Sequence, residues 1–189
     1  MFADVIVSTG TLLTHIIIGK DGKIMKPKIA YLGLLIALAF VFSYIEFLIP
    51  VNIGIPGAKL GLANLVIVVA LYTLNERDAF VLSMIRIVLV GFTFANLASM
   101  LYSLAGGILS FVVMVIAKKT KKLSITGVSV LGGVFHNVGQ IMIAIWVVKT
   151  ASLIYYLPVL MMSGIAAGVA IGMLGGMVTK RIRGIRVIM

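Results

Sequence analysis

The chain contains no cysteine. Disulfides, thiolate zinc sites and cysteine-held iron–sulfur clusters are excluded together. Acidic residues are almost as scarce: Asp and Glu number 5, against 16 Lys and Arg. Asp4, Asp21, Glu76 and Asp78 lie outside the apolar runs, which leaves Glu46 as the one acid within a run. No paired aspartate motif is present that could hold magnesium on a diphosphate. There is no Walker A glycine loop and no HExxH, so P-loop ATP hydrolysis and zincin chemistry are excluded. No nucleophile–base–acid set stands out. These absences leave a binder or conduit, not a catalyst, with no cofactor and no metal.

What the chain has in excess is apolar surface. Its 189 residues are 62% hydrophobic, with a mean hydropathy of +1.24. A soluble domain of this size cannot bury so much, so the composition predicts an all-α, polytopic membrane protein in the lipid bilayer. The formal charge is +11. The basic residues fall in blocks between apolar runs, at 20–28, 118–122 and 180–186. That is the pattern of cytoplasmic loops beside an anionic leaflet, not of a nucleic-acid groove.

Residues 1–24 form an N-terminal extension of unassigned role. They combine β-branched runs with an Asp21-Gly22 turn signal. No basic residue precedes the apolar part, so a signal peptide is not expected. Residues 25–189 form the membrane domain, with spans expected at about 29–49, 60–74, 79–97, 100–117, 127–148 and 157–179. The second is short. An even number of spans puts both termini on one side. Only Lys59 and Lys149 fall in loops on the other side, so the termini are expected in the cytoplasm of a cell that carries the chain in its plasma membrane. Tyr155 and Tyr156 fall where an outer interfacial belt would lie. A very short turn near Ala98-Ser99 joins the third and fourth spans.

Polar residues at membrane depth are few. Ser43 to Asn64 carries Glu46, Pro50, Pro56, Gly54, Gly57 and Lys59. Both prolines disfavour continued helix. The stretch is expected to be a structured loop at the bundle mouth, either a lid or binding edge or a plain turn with its lysine among lipid headgroups. Arg86 falls near mid-membrane and must face the bundle interior or a wet cavity. It is ion-paired with Glu46 or an anion-binding group, and the two can coexist if Glu46 holds Arg86 until a ligand arrives. His136 and Gln140 share a helical face with Gly133. They form a pocket wall, or His136 is an interhelical hydrogen-bond partner. Ser129 and Asn137 are expected to point elsewhere on that helix. The inner halves of the spans read as nearly pure Val, Leu, Ile, Ala and Met. Candidate substrate-binding residues are Glu46, Lys59, Asn64, Arg86, His136 and Gln140. Small residues four apart in spans four and six predict tight helix packing. Gly33 and Ala37 in span one form a stripe that either packs internally or docks a partner.

Several motifs carry a family resemblance. They are Ser43-Tyr-Ile-Glu46 with Pro50, Pro56-Gly-Ala-Lys59-Leu-Gly-Leu-Ala-Asn64, Arg86, Tyr102-Ser-Leu-Ala-Gly-Gly107, Gly127-Val-Ser-Val-Leu-Gly-Gly133, His136-Asn-Val-Gly-Gln140 and Tyr156-Leu-Pro-Val-Leu160. Together they resemble the membrane family labelled Gx transporter or heptaprenyl diphosphate synthase component I, from about Lys26 to Thr179. That family is similar to the substrate-binding S components of energy-coupling factor (ECF) transporters. The resemblance implies a six-transmembrane-helix bundle and a small-molecule site near the outer face. It also implies ATP-driven uptake of a small polar or anionic metabolite. Partners would be a transmembrane coupling subunit, docked at Gly33 and Ala37, and cytoplasmic ATPase subunits. Under the synthase label the chain would instead be an accessory membrane subunit, since it lacks magnesium-binding acids. A structural subunit of a membrane redox complex is a third reading. Without cysteine it could hold no cluster.

Overall fold

A computed structural model describes residues 27–48 and 61–188. The N-terminal extension, and the loop that carries Pro50, Pro56 and Lys59, lie outside the described residues. Within them the chain is all-helical, without strands. The helices are α1 (Pro27–Leu48), α2 (Leu62–Thr73), α3 (Glu76–Thr93), α4 (Leu97–Lys119), α5 (Ile125–Val148) and α6 (Leu157–Ile188). A 3-10 turn at Ala151–Tyr156 precedes α6.

Side-chain caps set two of these starts. The Asn96 carboxamide oxygen accepts from the Ser99 N–H at 2.7 Å and begins α4. The turn between α3 and α4 therefore lies at residues 94–96, a few residues before its expected place at Ala98-Ser99. The Ser124 hydroxyl accepts from the Gly127 N–H at 3.2 Å and begins α5. Both are ordinary N-cap bonds that satisfy an otherwise orphaned N–H.

Six helices match the six expected segments, but they are not equally suited to lipid. Segments within α1, α4, α5 and α6 are long and apolar enough to cross a membrane. Helix α2 has 12 residues, and reaches only about 18 Å along its axis. Helix α3 has 18 residues but carries Glu76, Arg77, Asp78 and Arg86.

Cross-links define two ends of the bundle. At one end the Tyr31 and Thr73 hydroxyls meet at 3.3 Å, tying α1 to α2. Lys118 donates to the Leu71 carbonyl at 2.9 Å and lies 5.7 Å from the centre of the Tyr72 ring. Glu76 pairs with Lys119 at 3.1 Å and with Lys118 at 3.6 Å. This basic end also holds Lys121 and Lys122. The last turns of α6 join it, because Gly172 packs on Thr126 near the start of α5. At the opposite end the Phe94 ring lies 5.2–5.5 Å from those of Phe40, Tyr44 and Phe47.

Packing is densest toward the basic end. The largest fully buried side chains are Leu71, Leu82, Val68, Val128 and Thr179. Helices α5 and α6 touch backbone to backbone, so that a Cβ on Gly133 would run into the Gly164 carbonyl. Gly139 meets the Ala105 carbonyl on α4 in the same way. The expected internal role holds for Gly106, Gly107, Gly164, Gly168 and Gly172, whereas Ala166 and Ala170 are exposed on α6 and Gly176 has open space around it. Gly33 and Ala37 behave differently: both are exposed on α1, and Gly33 has open space around it. Large apolar side chains such as Phe92, Trp146 and Tyr155 are also exposed. An apolar exterior of this kind suits lipid contact.

A cavity around Arg86

Away from the dense end, all six helices leave space between them. Glu46 stands in the last turn of α1, and one carboxylate oxygen, Oε1, accepts from two backbone N–H groups. These are Gly61 and Leu62, the latter at 3.0 Å. The carboxylate therefore caps the start of α2, where the helix dipole favours a negative charge. Gly61 turns the chain with a left-handed φ of 77°, which suits glycine. A Cβ there would also meet the flexible tip of Ile171, Cδ1, at 2.7 Å.

Arg86 projects from α3 about 15 Å along the axis from Glu76. Its Nε is buried and has no hydrogen-bond partner. No ion pair joins it to Glu46 among the described residues, so the paired alternative is not what the fold adopts. Glu46 Oε1 is turned to the start of α2 instead, and the Glu46 charge acts on Arg86 from beyond ion-pair distance.

Both residues line one cavity of about 170 Å³. Asn64 of α2, and His136 and Gln140 of α5, line it too. Five of the six expected substrate-binding residues thus converge on one space, and Lys59 lies outside the described residues. Two expectations about α5 are corrected. Ser129 and Asn137 do not point elsewhere; both line the same cavity. Positions 129, 132, 133, 136, 137 and 140 form one continuous helical face at i, i+3 and i+4 spacing. Asn137 does serve helix packing as well, because its Nδ2 donates to the Leu160 carbonyl on α6 at 2.5 Å.

The inner halves of the helices are also less uniformly apolar than expected. Ser83, Ser110 and Ser129 are buried there, on α3, α4 and α5, and all three line the cavity. Single serines in apolar runs give little sequence signal. Ser83 stands one turn before Arg86, and that spacing is the clue that could have found it. Ser110 donates to the Gly132 carbonyl at 2.8 Å and so ties α4 to α5. Phe47 and Phe94 close one edge of the cavity with aromatic surface. Among the described residues no cluster of His, Asp and Glu is placed to hold a metal ion.

The family model for heptaprenyl diphosphate synthase component I matches residues 35–178. The chain belongs to that family. The match begins inside α1, so Gly33 precedes it while Ala37 lies within it. It takes in every described residue that lines the cavity. No curated protein and no solved structure matches the chain. The heptaprenyl diphosphate synthase component I resemblance noted from the motifs is thereby established, but the further likeness to ECF S components gains no support.

Proposed function

We propose that this chain is the non-catalytic, membrane-embedded component of a heptaprenyl diphosphate synthase system, and that its cavity binds a small anion at Arg86. The observation that carries the anion reading is the buried, unpartnered Nε of Arg86 in a cavity shared with His136, Asn64 and Gln140. A charge at that depth is expensive in lipid and is retained where a ligand or partner repays it. The family supports the synthase reading. The scarcity of acids argues that prenyl elongation belongs to a second, soluble component, because magnesium–diphosphate chemistry needs carboxylates this chain lacks.

The test is reconstitution. The full chain, purified and added to a soluble prenyl diphosphate synthase from the same cell, is expected to bind it and raise its product yield. Absence of both binding and stimulation would remove the synthase reading.

Uptake of a small polar or anionic metabolite is the second reading, with Gly33 and Ala37 docking a coupling subunit that works with cytoplasmic ATPase subunits. It is favoured by the asymmetry of the bundle, hollow toward one end and close-packed toward the basic end. With the basic end in the cytoplasm, as the lysine and arginine blocks suggest, the cavity would lie toward the outside. Accumulation of a labelled metabolite in intact cells, lost on deleting the chain, separates this reading from the synthase one.

A further inference from the structure

The cavity extends inward past Arg86, and its inner part contains polar groups that the fold itself does not use. Ser83 and Ser129 are 4% and 3% exposed. Neither side chain makes a hydrogen bond to another described residue. Neither hydroxyl is sealed off as a buried atom without a partner; each opens on the cavity, where a ligand could make the bond that the protein leaves unmade. Ser83 is one helical turn from Arg86 on α3, on the same face. Ser129 approaches from α5, on the face that carries His136 and Gln140. Ser110 is different, since its hydrogen is committed to Gly132.

Resting on the anion reading above, we propose that Ser83 and Ser129 form an inner subsite that, with Arg86, takes a phosphate-class oxyanion in preference to a carboxylate. A carboxylate presents two oxygens, and a planar guanidinium satisfies both in bidentate fashion. The added hydroxyls, one from α3 beside Arg86 and one from α5, suit a tetrahedral group with further acceptor oxygens. The size of the cavity fits a head group rather than a chain. About 170 Å³ is available, comparable to an engineered cavity of ~150 Å³ that holds benzene. A long prenyl or acyl chain would have to remain outside it. The phosphoryl group can belong to a free small phosphate or to the head of a lipid.

The experiment measures binding of inorganic pyrophosphate, inorganic phosphate and acetate to the full chain in detergent micelles. The wild type is compared with Arg86→Met and with the Ser83→Ala/Ser129→Ala pair. The pair is expected to weaken pyrophosphate binding by at least about tenfold, the loss of two hydrogen bonds to a charged group, while its melting temperature stays near that of the wild type. Acetate is expected to bind weakly and to be indifferent to the serines. In a separate arm, Ser129→Cys gives this cysteine-free chain a sole thiol. Pyrophosphate should slow its modification by a methanethiosulfonate reagent. Repeating the binding in nanodiscs of phosphatidylcholine with and without phosphatidylglycerol separates the sources: competition by the anionic lipid points to a headgroup, and its absence to a free phosphate. If pyrophosphate needs Arg86 but ignores both serines and does not protect the thiol, the subsite is overturned and the anion reading stands. Equal binding of acetate and pyrophosphate overturns the choice of ligand class. If the wild type binds none of the three anions, the anion reading itself fails.

Discussion

A guanidinium in the middle of an apolar bundle destabilises the empty protein, because burial removes hydration that no partner replaces at Nε. Arg86→Met keeps the length of the side chain and removes the charge. It is expected to raise the thermal stability of the ligand-free protein by about 1–3 kcal/mol, and to abolish anion-induced stabilisation. A scanning-fluorimetry series with and without pyrophosphate checks both; a less stable Arg86→Met would show that the arginine is structural. Glu46 gives the opposite expectation. Its Oε1 holds the N–H groups of Gly61 and Leu62, so Glu46→Ala should cost about 1–2 kcal/mol as a lost helix cap. Glu46→Gln keeps an acceptor oxygen and should lose less. Equal losses for the two would mean that the charge, not the cap, matters. Thermal denaturation of the pair in one detergent decides it.

Between helices, glycine decides how close the backbones come. Gly133→Ala would push α5 from α6 at the Gly164 carbonyl and should destabilise by about 1–3 kcal/mol. Gly33→Ala meets open space and should leave stability unchanged. Loss of complex formation in a stably folded Gly33→Leu variant, read by copurification, would then identify the exposed face of α1 as the docking surface. At the basic end, the hydrogen bond from Lys119 and the charges of Lys119 and Lys118 together outweigh the opposing desolvation and hold the Glu76 carboxyl below its ordinary pKa. A lowered folded-state value stabilises above the ordinary carboxylate range, and that contribution disappears as pH falls through the lowered value. Acid should therefore destabilise the wild type slightly more than Glu76→Gln. The pair is partly exposed, so the difference should also shrink in high salt. Melting curves across acidic pH at two salt concentrations test this.

For the molecule as a whole, much of the plan was legible in the sequence. The lengths of the apolar runs placed six helices, and His136 with Gln140 marked the face of α5 that lines the cavity. Other features were not legible for physical reasons. Ser83, Ser110 and Ser129 are isolated small polar residues in apolar runs, and only the packing of α3, α4 and α5 brings them to one space. The capping role of Glu46 depends on where α2 begins, which Gly61 sets by its left-handed turn. Scarcity of charge points to a pairing of Glu46 with Arg86, whereas in the fold Glu46 Oε1 turns to the N–H groups of α2, whose start the sequence does not mark. The central claim is that six helices enclose a cavity whose buried arginine binds a small anion. Mass spectrometry of the small molecules released on denaturing purified wild type and Arg86→Met tests it most directly. An anionic compound recovered from the wild type and missing from a folded Arg86→Met is the predicted result. The same compound recovered equally from both proteins would contradict it.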